Sequence, residues 1–205
     1  MKSDVITITP EGEGVEEALA ETGKAAAFRG LNAKQTLRLR LLAEEMTGML
    51  RTIVGAAPLR FWVESEKNAF SLHLSADTQA DYAMREALLK TSTTGKNEAA
   101  KGFMGRIRDI FTRLCETNDL NALSTEYGYS YVGVVGYDAS MDMSPNAVLY
   151  GWSLSAYREA VEEHREAEPE KWDELEKSIT AKLADEVKIF IRRNTVEMVI
   201  EKTFA

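Results

Sequence analysis

Two short runs of alternating apolar and polar residues constrain this chain more than any other feature. The first run is Arg60 to Glu64 and the second is Phe70 to Leu74, and Ser65 to Asn68 suits a turn between them. Because successive side chains of a strand point to opposite faces, the pattern predicts an antiparallel hairpin with one apolar face. That face must be buried against a second layer of structure.

The helix predicted before this hairpin carries a matching apolar stripe. Asn32 suits its N-cap, and residues 33–54 hold apolar side chains at helical spacing. The stripe consists of Leu39, Leu42, Ala43, Met46, Met49, Leu50 and Ile53. A strand at 5–9 and a helix at 15–28, ending at Arg29-Gly30, are predicted before it.

The rest of the chain predicts more helices and a closing hairpin. The helices cover residues 98–115, 155–166 and 169–184, and the hairpin strands 186–191 and 195–202 turn at 193–194. Residues 116–150, rich in glycine and tyrosine, are predicted to be the least regular region, with a strand at 129–137. The predicted fold class is α+β. It is a two-layer sandwich of a mixed, mainly antiparallel sheet with helices on one face, in a single domain over 1–205.

Composition excludes several classes of function. The 205 residues include 25 basic and 33 acidic side chains, a net charge of −8, which argues against nucleic acid or an anionic membrane as partner. One cysteine, Cys115, and two histidines exclude a disulfide framework and a cysteine-based zinc site. The N-terminal residues contain no apolar signal core, so a cytoplasmic protein is expected.

The first candidate site lies on the helix predicted over residues 33–54. Glu44, Gly48 and Arg51 share the face opposite the apolar stripe. A glycine inside a helix costs about 1 kcal/mol relative to alanine, so Gly48 calls for a packing or ligand-approach reason. The alternative is an ordinary amphipathic helix that tolerates a glycine.

The second candidate is a glycine- and hydroxyl-rich stretch that enters a helix, residues 91–106. From Lys90 to Arg113 there are six basic and two acidic residues, a local charge of +4 that favours an anionic ligand such as phosphate. The stretch is not a P-loop, because Asn97 follows Gly95-Lys96. The alternative is a capped helix with solvated bases.

The third candidate is Asp77, a carboxylate at the end of the second hairpin strand. Acids at strand ends are common turn formers, which is the alternative interpretation. His73, on the polar side of the same strand, is interpreted as a surface residue rather than a ligand.

In this order and spacing the three candidates resemble the GHKL, or Bergerat-fold, ATP-binding domain, especially its anti-sigma-factor kinase branch. Residues 5–115 and 183–202 follow that plan, and 116–182 form a divergent insertion. The resemblance implies that Glu44 matches a helix glutamate that some relatives use as a general base. Gly48 stands where the magnesium-binding asparagine is expected. Asp77 matches the adenine-contacting aspartate, although Thr78, Gln79 and Ala80 replace its glycines.

The resemblance also implies a set of nucleotide-binding residues. They are Glu44, Gly48, Asp77, Thr94, Gly95, Lys96, Asn97, Lys101, Gly102, Gly105 and Arg106. The expected function is regulation through a protein partner, such as a sigma-factor-like regulator, with weak binding of ATP or ADP and no protein-held magnesium. The alternatives are a degenerate scaffold used only for protein contacts, through the tyrosine-rich residues 127–152, and, ranked last, a serine protein kinase. Whether the chain is an enzyme stays open.

Overall fold

The computed structural model describes residues 1–54, 57–77, 149–167, 169–192 and 195–205. Within these ranges the chain forms one six-stranded sheet of order β1-β2-β3-β6-β5-β4, in which every neighbouring pair is antiparallel. The strands are β1 (Ile6–Ile8), β2 (Leu59–Glu66), β3 (Ala69–Asp77), β4 (Leu149–Ser153), β5 (Glu186–Arg192) and β6 (Thr195–Thr203). The prediction of an α+β fold with a mainly antiparallel sheet is confirmed.

The described helices cover one face of this sheet. They are α1 (Val15–Phe28), α2 (Ala33–Val54), α3 (Leu154–Glu163), α4 (Pro169–Lys177) and α5 (Ile179–Leu183). Helix α1 contacts β1 and β2, α2 contacts β3 and β6, and α3 contacts β4 and β5. The buried stripe of α2 forms a single apolar core with the inward side chains of the strands, among them Phe61, Leu72 and Met198.

Local interactions fix the first half of the chain close to its predicted form. Asn32 Oδ1 accepts a hydrogen bond from Gln35 N, and Gln35 Oε1 accepts one from Asn32 N, both at 3.0 Å. This reciprocal pair satisfies backbone donors at the start of α2 and confirms Asn32 as its cap. The hairpin turn is shorter than predicted: only Lys67 and Asn68 join β2 to β3, and Lys67 adopts a φ of 50°. A turn of two residues aligns Trp62 with His73 across the pair.

The second half departs from prediction at two places. Residues 149–150 were expected to end an irregular region, but they begin β4, an edge strand whose five residues pair with β5. The sequence Leu-Tyr-Gly-Trp-Ser has no period-two alternation and includes a glycine, so it gave no strand signal. The helix expected over 169–184 is divided, because Ser178 accepts a hydrogen bond from Ala181 N at 3.1 Å and caps a separate α5.

Three further predictions lie outside the described residues. They are the helix over 98–115, with its Ile107, the strand at 129–137 and the turn at 193–194. Part of the stretch taken as a divergent insertion, 116–182, belongs to the core, since Trp152, Leu154 and Tyr157 are each at most 4% exposed.

Candidate functional site

Helix α2 runs towards the end of the sheet where Asp77 lies. Near the start of α2, Gln35 Nε2 donates to the carbonyl oxygen of Ala205 at 3.2 Å. Ala205 follows Thr203, which pairs with Ala69, so this part of the helix lies near the start of β3. At its finish, Val54 precedes Leu59 by five positions, and Leu59 pairs with Ala76. The C-terminal end of α2 and Asp77 therefore lie at the same end of the sheet.

Glu44 and Gly48 lie one turn apart on the outer face of α2, and both are exposed. The opposite face of this turn, with Leu42 and Met46, is completely buried. A Cβ built on Gly48 would have no heavy atom within 4 Å among the described residues. The described part of the chain therefore gives no packing reason for Gly48.

Asp77 is the exposed last residue of β3, and it lies in a row that crosses four strands. Asp77 pairs with Thr195, Thr195 pairs with Arg192, and Arg192 pairs with Leu149. Asp77 and Leu149, the two ends of this row, are three strand spacings apart, which is roughly 14 Å. Asp77 and Leu149, the described residues on either side of 78–148, therefore lie at the same end of the sheet but at opposite ends of this row.

The remaining predicted phosphate-binding residues belong to that segment and lie outside the described residues. They are Thr94, Gly95, Lys96, Asn97, Lys101, Gly102, Gly105 and Arg106. Glu44 and Gly48 share the outer face of α2, but Asp77 follows the buried, helix-facing Ala76 in β3, so strand alternation places its side chain on the other face of the sheet. The common site for these three residues therefore stays a prediction. Across the residues that the structure describes, no three His, Cys, Asp or Glu side chains are grouped closely enough to hold a metal ion.

No described helix covers the other face of the sheet, which we call the helix-free face, and this face carries a cluster that sequence reasoning missed. The rings of Trp62 and His73 stack with centroids 4.7 Å apart and planes 7° apart. His73 Nδ1 lies 3.2 Å from Glu197 Oε1, which agrees with the predicted polar position of His73. Both aromatic residues occupy outward positions of neighbouring strands, and a two-residue turn assumed from the start could have aligned them.

Lys2 and Glu64 also contact the Trp62 side chain. Lys2 Nζ lies 5.1 Å from the ring centroid and 2.9 Å from Glu64 Oε1, and Trp62 Nε1 donates to the same carboxylate at 3.1 Å. The hydrogen bond from Lys2 lowers the pKa of Glu64, burial opposes this effect, and the hydrogen bond from Trp62 adds to the lowering. We name the set Lys2, Glu64, Trp62, His73 and Glu197 the outer-face cluster.

A half-buried carboxylate, Glu186, joins elements at the other end of the sheet from Asp77. Its carboxylate accepts hydrogen bonds from Val187 N at 2.9 Å, from Ser155 N and Ser153 Oγ at 3.2 Å, and from Ser155 Oγ. Burial would raise the pKa of Glu186, but these bonds bring it below its ordinary value. The donors are the last residue of β4, the first turn of α3 and β5, so the group joins these three elements and is no candidate site.

Comparison of the chain with protein-family models, with curated proteins and with solved structures gives no match in any of the three. The resemblance to GHKL domains therefore stays a prediction, whereas the α+β fold class rests on the structure itself. Within the described residues, no helix combines the length and the apolar character needed to cross a bilayer.

Proposed function

We propose that this chain is a regulatory nucleotide-binding domain that binds ATP or ADP weakly and acts through a protein partner. One observation supports the proposal: Glu44 and Gly48 are exposed one turn apart on the outer face of α2, the helix that runs towards the end of the sheet where Asp77 and Leu149 lie.

Each proposed contact follows from the chemistry of the side chain. The Asp77 carboxylate would accept a hydrogen bond from the adenine amino group, a charge-assisted pairing. Backbone N–H groups and Lys96, Lys101 or Arg106 would meet the phosphates. Gly48 has no side-chain oxygen, so magnesium would gain no protein ligand there and should add little affinity. The proposal places the protein in the cytoplasm, with a sigma-factor-like regulator as the class of partner.

Isothermal titration calorimetry with ATP and ADP, with and without magnesium, tests the proposal. The parent should bind at millimolar concentrations with little effect of magnesium, Asp77→Asn should abolish binding, and Gly48→Asn should strengthen binding when magnesium is present. Asp173→Asn is a matched control, because it removes the same charge from an exposed carboxylate that is paired only with Lys177 at 3.7 Å. It should bind nucleotide like the parent.

The same titration separates the proposal from its alternative. If the parent releases no heat with nucleotide at millimolar concentration, the site is not a nucleotide site and the scaffold serves protein contacts alone. If Asp77→Asn and Asp173→Asn weaken binding equally, the effect is one of overall charge, and the assignment of Asp77 is wrong.

A further inference from the structure

The position of His73 gives a hydrogen-bond partner to one of its two ring nitrogens. Its side chain is 16% exposed and lies flat against Trp62. A carboxylate can only accept, so the approach of Glu197 Oε1 to Nδ1 requires the proton on Nδ1. The other nitrogen, Nε2, is then a bare acceptor; it is fully buried and has no hydrogen-bond partner among the described residues.

Protonation changes the hydrogen-bond partners that His73 needs, because both nitrogens of an imidazolium are donors. The bond from Nδ1 to Glu197 would become an ion pair, but Nε2 would carry a buried N–H with no acceptor among the described residues. An unpaired buried donor costs about 1–3 kcal/mol, and more when it is charged. A rotation that brings Nε2 to water removes this cost and can leave the Nδ1 bond to Glu197 in place.

The surrounding charges do not offset that cost. Arg60 and Glu64 flank Trp62 on β2, Glu197 and Glu201 flank Val199 on β6, Lys188 lies beyond Val199 on β5, and Lys2 covers Trp62. These are three cations and three carboxylates, and two of the carboxylates already hold lysines, at 2.9 Å and 2.7 Å. Glu197 is the carboxylate of this set that holds no lysine, so it is available to the Nδ1–H of a neutral or a protonated ring, whereas no member of the set accepts a hydrogen bond from Nε2.

We propose that His73 is a proton-operated latch on the helix-free face of the sheet, and that acid opens its stack on Trp62. Opening removes a neighbour from Val199, which lies directly across from His73 on β6 and is 7% exposed. The face would then change from a closed polar network to one that presents Trp62 and Val199 to solvent. This device is independent of the nucleotide proposal, since the outer-face cluster and α2 lie on opposite sides of the sheet.

Acrylamide quenching of tryptophan fluorescence between pH 8 and pH 5 tests the latch on the full chain, which has three tryptophans and two histidines. In the parent, one of the three tryptophans should become accessible to quencher as the pH falls. The rise should be absent in Trp62→Phe, which identifies the reporter, and in His73→Gln, whose amide does not titrate. His164→Gln is the matched control, because His164 is the other histidine and is exposed, and it should keep the rise.

A second measurement uses the parent alone. The ring current of Trp62 should shift the Hε1 proton resonance of His73 upfield at pH 8, and the shift should be lost on acidification. The latch is overturned if quencher accessibility stays constant from pH 8 to pH 5, if the rise persists in His73→Gln, or if the upfield shift survives after the ring has titrated.

Discussion

The two faces of the sheet use the same strands in different ways. On the helix-covered face, Phe61, Leu74 and Met198 are completely buried and pack by shape against α1 and α2. On the helix-free face, the adjacent residues Trp62, His73 and Glu197 are half-buried and are held by stacking and hydrogen bonds. The helix-covered face therefore depends on how well its side chains fill the core, and the other face depends on the geometry of stacking and hydrogen bonds. A shift of register by one residue would exchange the two sets.

The largest expected effect contrasts two neighbours on opposite faces. Phe61→Ala should lower the free energy of unfolding by about 3–5 kcal/mol, because it removes a whole ring from a closed core. Trp62→Ala should cost about 1–2 kcal/mol, since it loses one stacking contact, one hydrogen bond and a cation–π contact at a partly exposed site. Urea unfolding followed by circular dichroism measures both. Equal losses would mean that the outer face is packed as a core and would break the comparison.

The second prediction concerns how closely the helix layer approaches the sheet. Gly14, which precedes α1, has a φ of +90°, and a Cβ there would lie 2.2 Å from the carbonyl oxygen of Thr7. Gly14→Ala should therefore combine left-handed strain with a backbone clash and cost about 2–3 kcal/mol.

Gly30 supplies the control for that clash. Its φ is +73°, but a Cβ there meets no heavy atom within 4 Å among the described residues. Gly30→Ala should cost only the conformational strain, about 1–2 kcal/mol. If thermal unfolding shows equal losses for the two variants, α1 does not approach β1 as closely as the structure indicates.

The sequence predicted the helix-covered face better than anything else. Helices α1 and α2 begin and end where the periodic stripe and Asn32 place them, and the strands flanking Lys67 follow their alternation. Strand β4 escaped prediction because an edge strand that contains Gly151 carries no periodic pattern, and only pairing with β5 makes it a strand. The outer-face cluster escaped because stacking depends on register, which local sequence does not reveal.

For the candidate site, too, local sequence predicts some placements and only the folded sheet reveals the others. Placing Glu44 and Gly48 on one face of a helix needs only the helical period, so the sequence sufficed. Placing Asp77 at the end towards which α2 runs requires the pairing of Leu59 with Ala76, which is a property of the folded sheet. Residue type suggested which groups to consider for a site, and only the topology shows at which end and on which face of the sheet each of them lies.

The third prediction tests the charged corner where β5 meets α3. Hydrogen bonds hold the pKa of Glu186 below its ordinary value of 4.5, so the unfolded chain binds this proton more tightly than the folded chain does. Its stabilisation is complete above pH 4.5 and is lost as the pH falls through the lower folded value. Glu186→Gln should lower the free energy of unfolding at pH 7 by about 1 kcal/mol and flatten its acid dependence.

Glu166→Gln is the control for this pH dependence, because Glu166 is exposed at the end of the same helical segment. Denaturation midpoints from pH 7 to pH 3 should be those of the parent. If Glu186→Gln leaves the acid limb unchanged, the bonds from Ser153 and Ser155 do not hold the carboxylate in its ionised form.

The smallest expected effect is a gain in stability on the side of α2 that faces away from the sheet. Gly48 lies inside the helix, and no heavy atom of the described residues lies within 4 Å of an added Cβ. Gly48→Ala should therefore raise the free energy of unfolding by about 0.5–1 kcal/mol, since alanine restricts the unfolded chain and costs nothing in packing. Urea unfolding without nucleotide measures the gain. A loss of stability would show that the outer face of α2 is itself covered in the folded protein, and Gly48 would then be a packing residue instead of part of an open site.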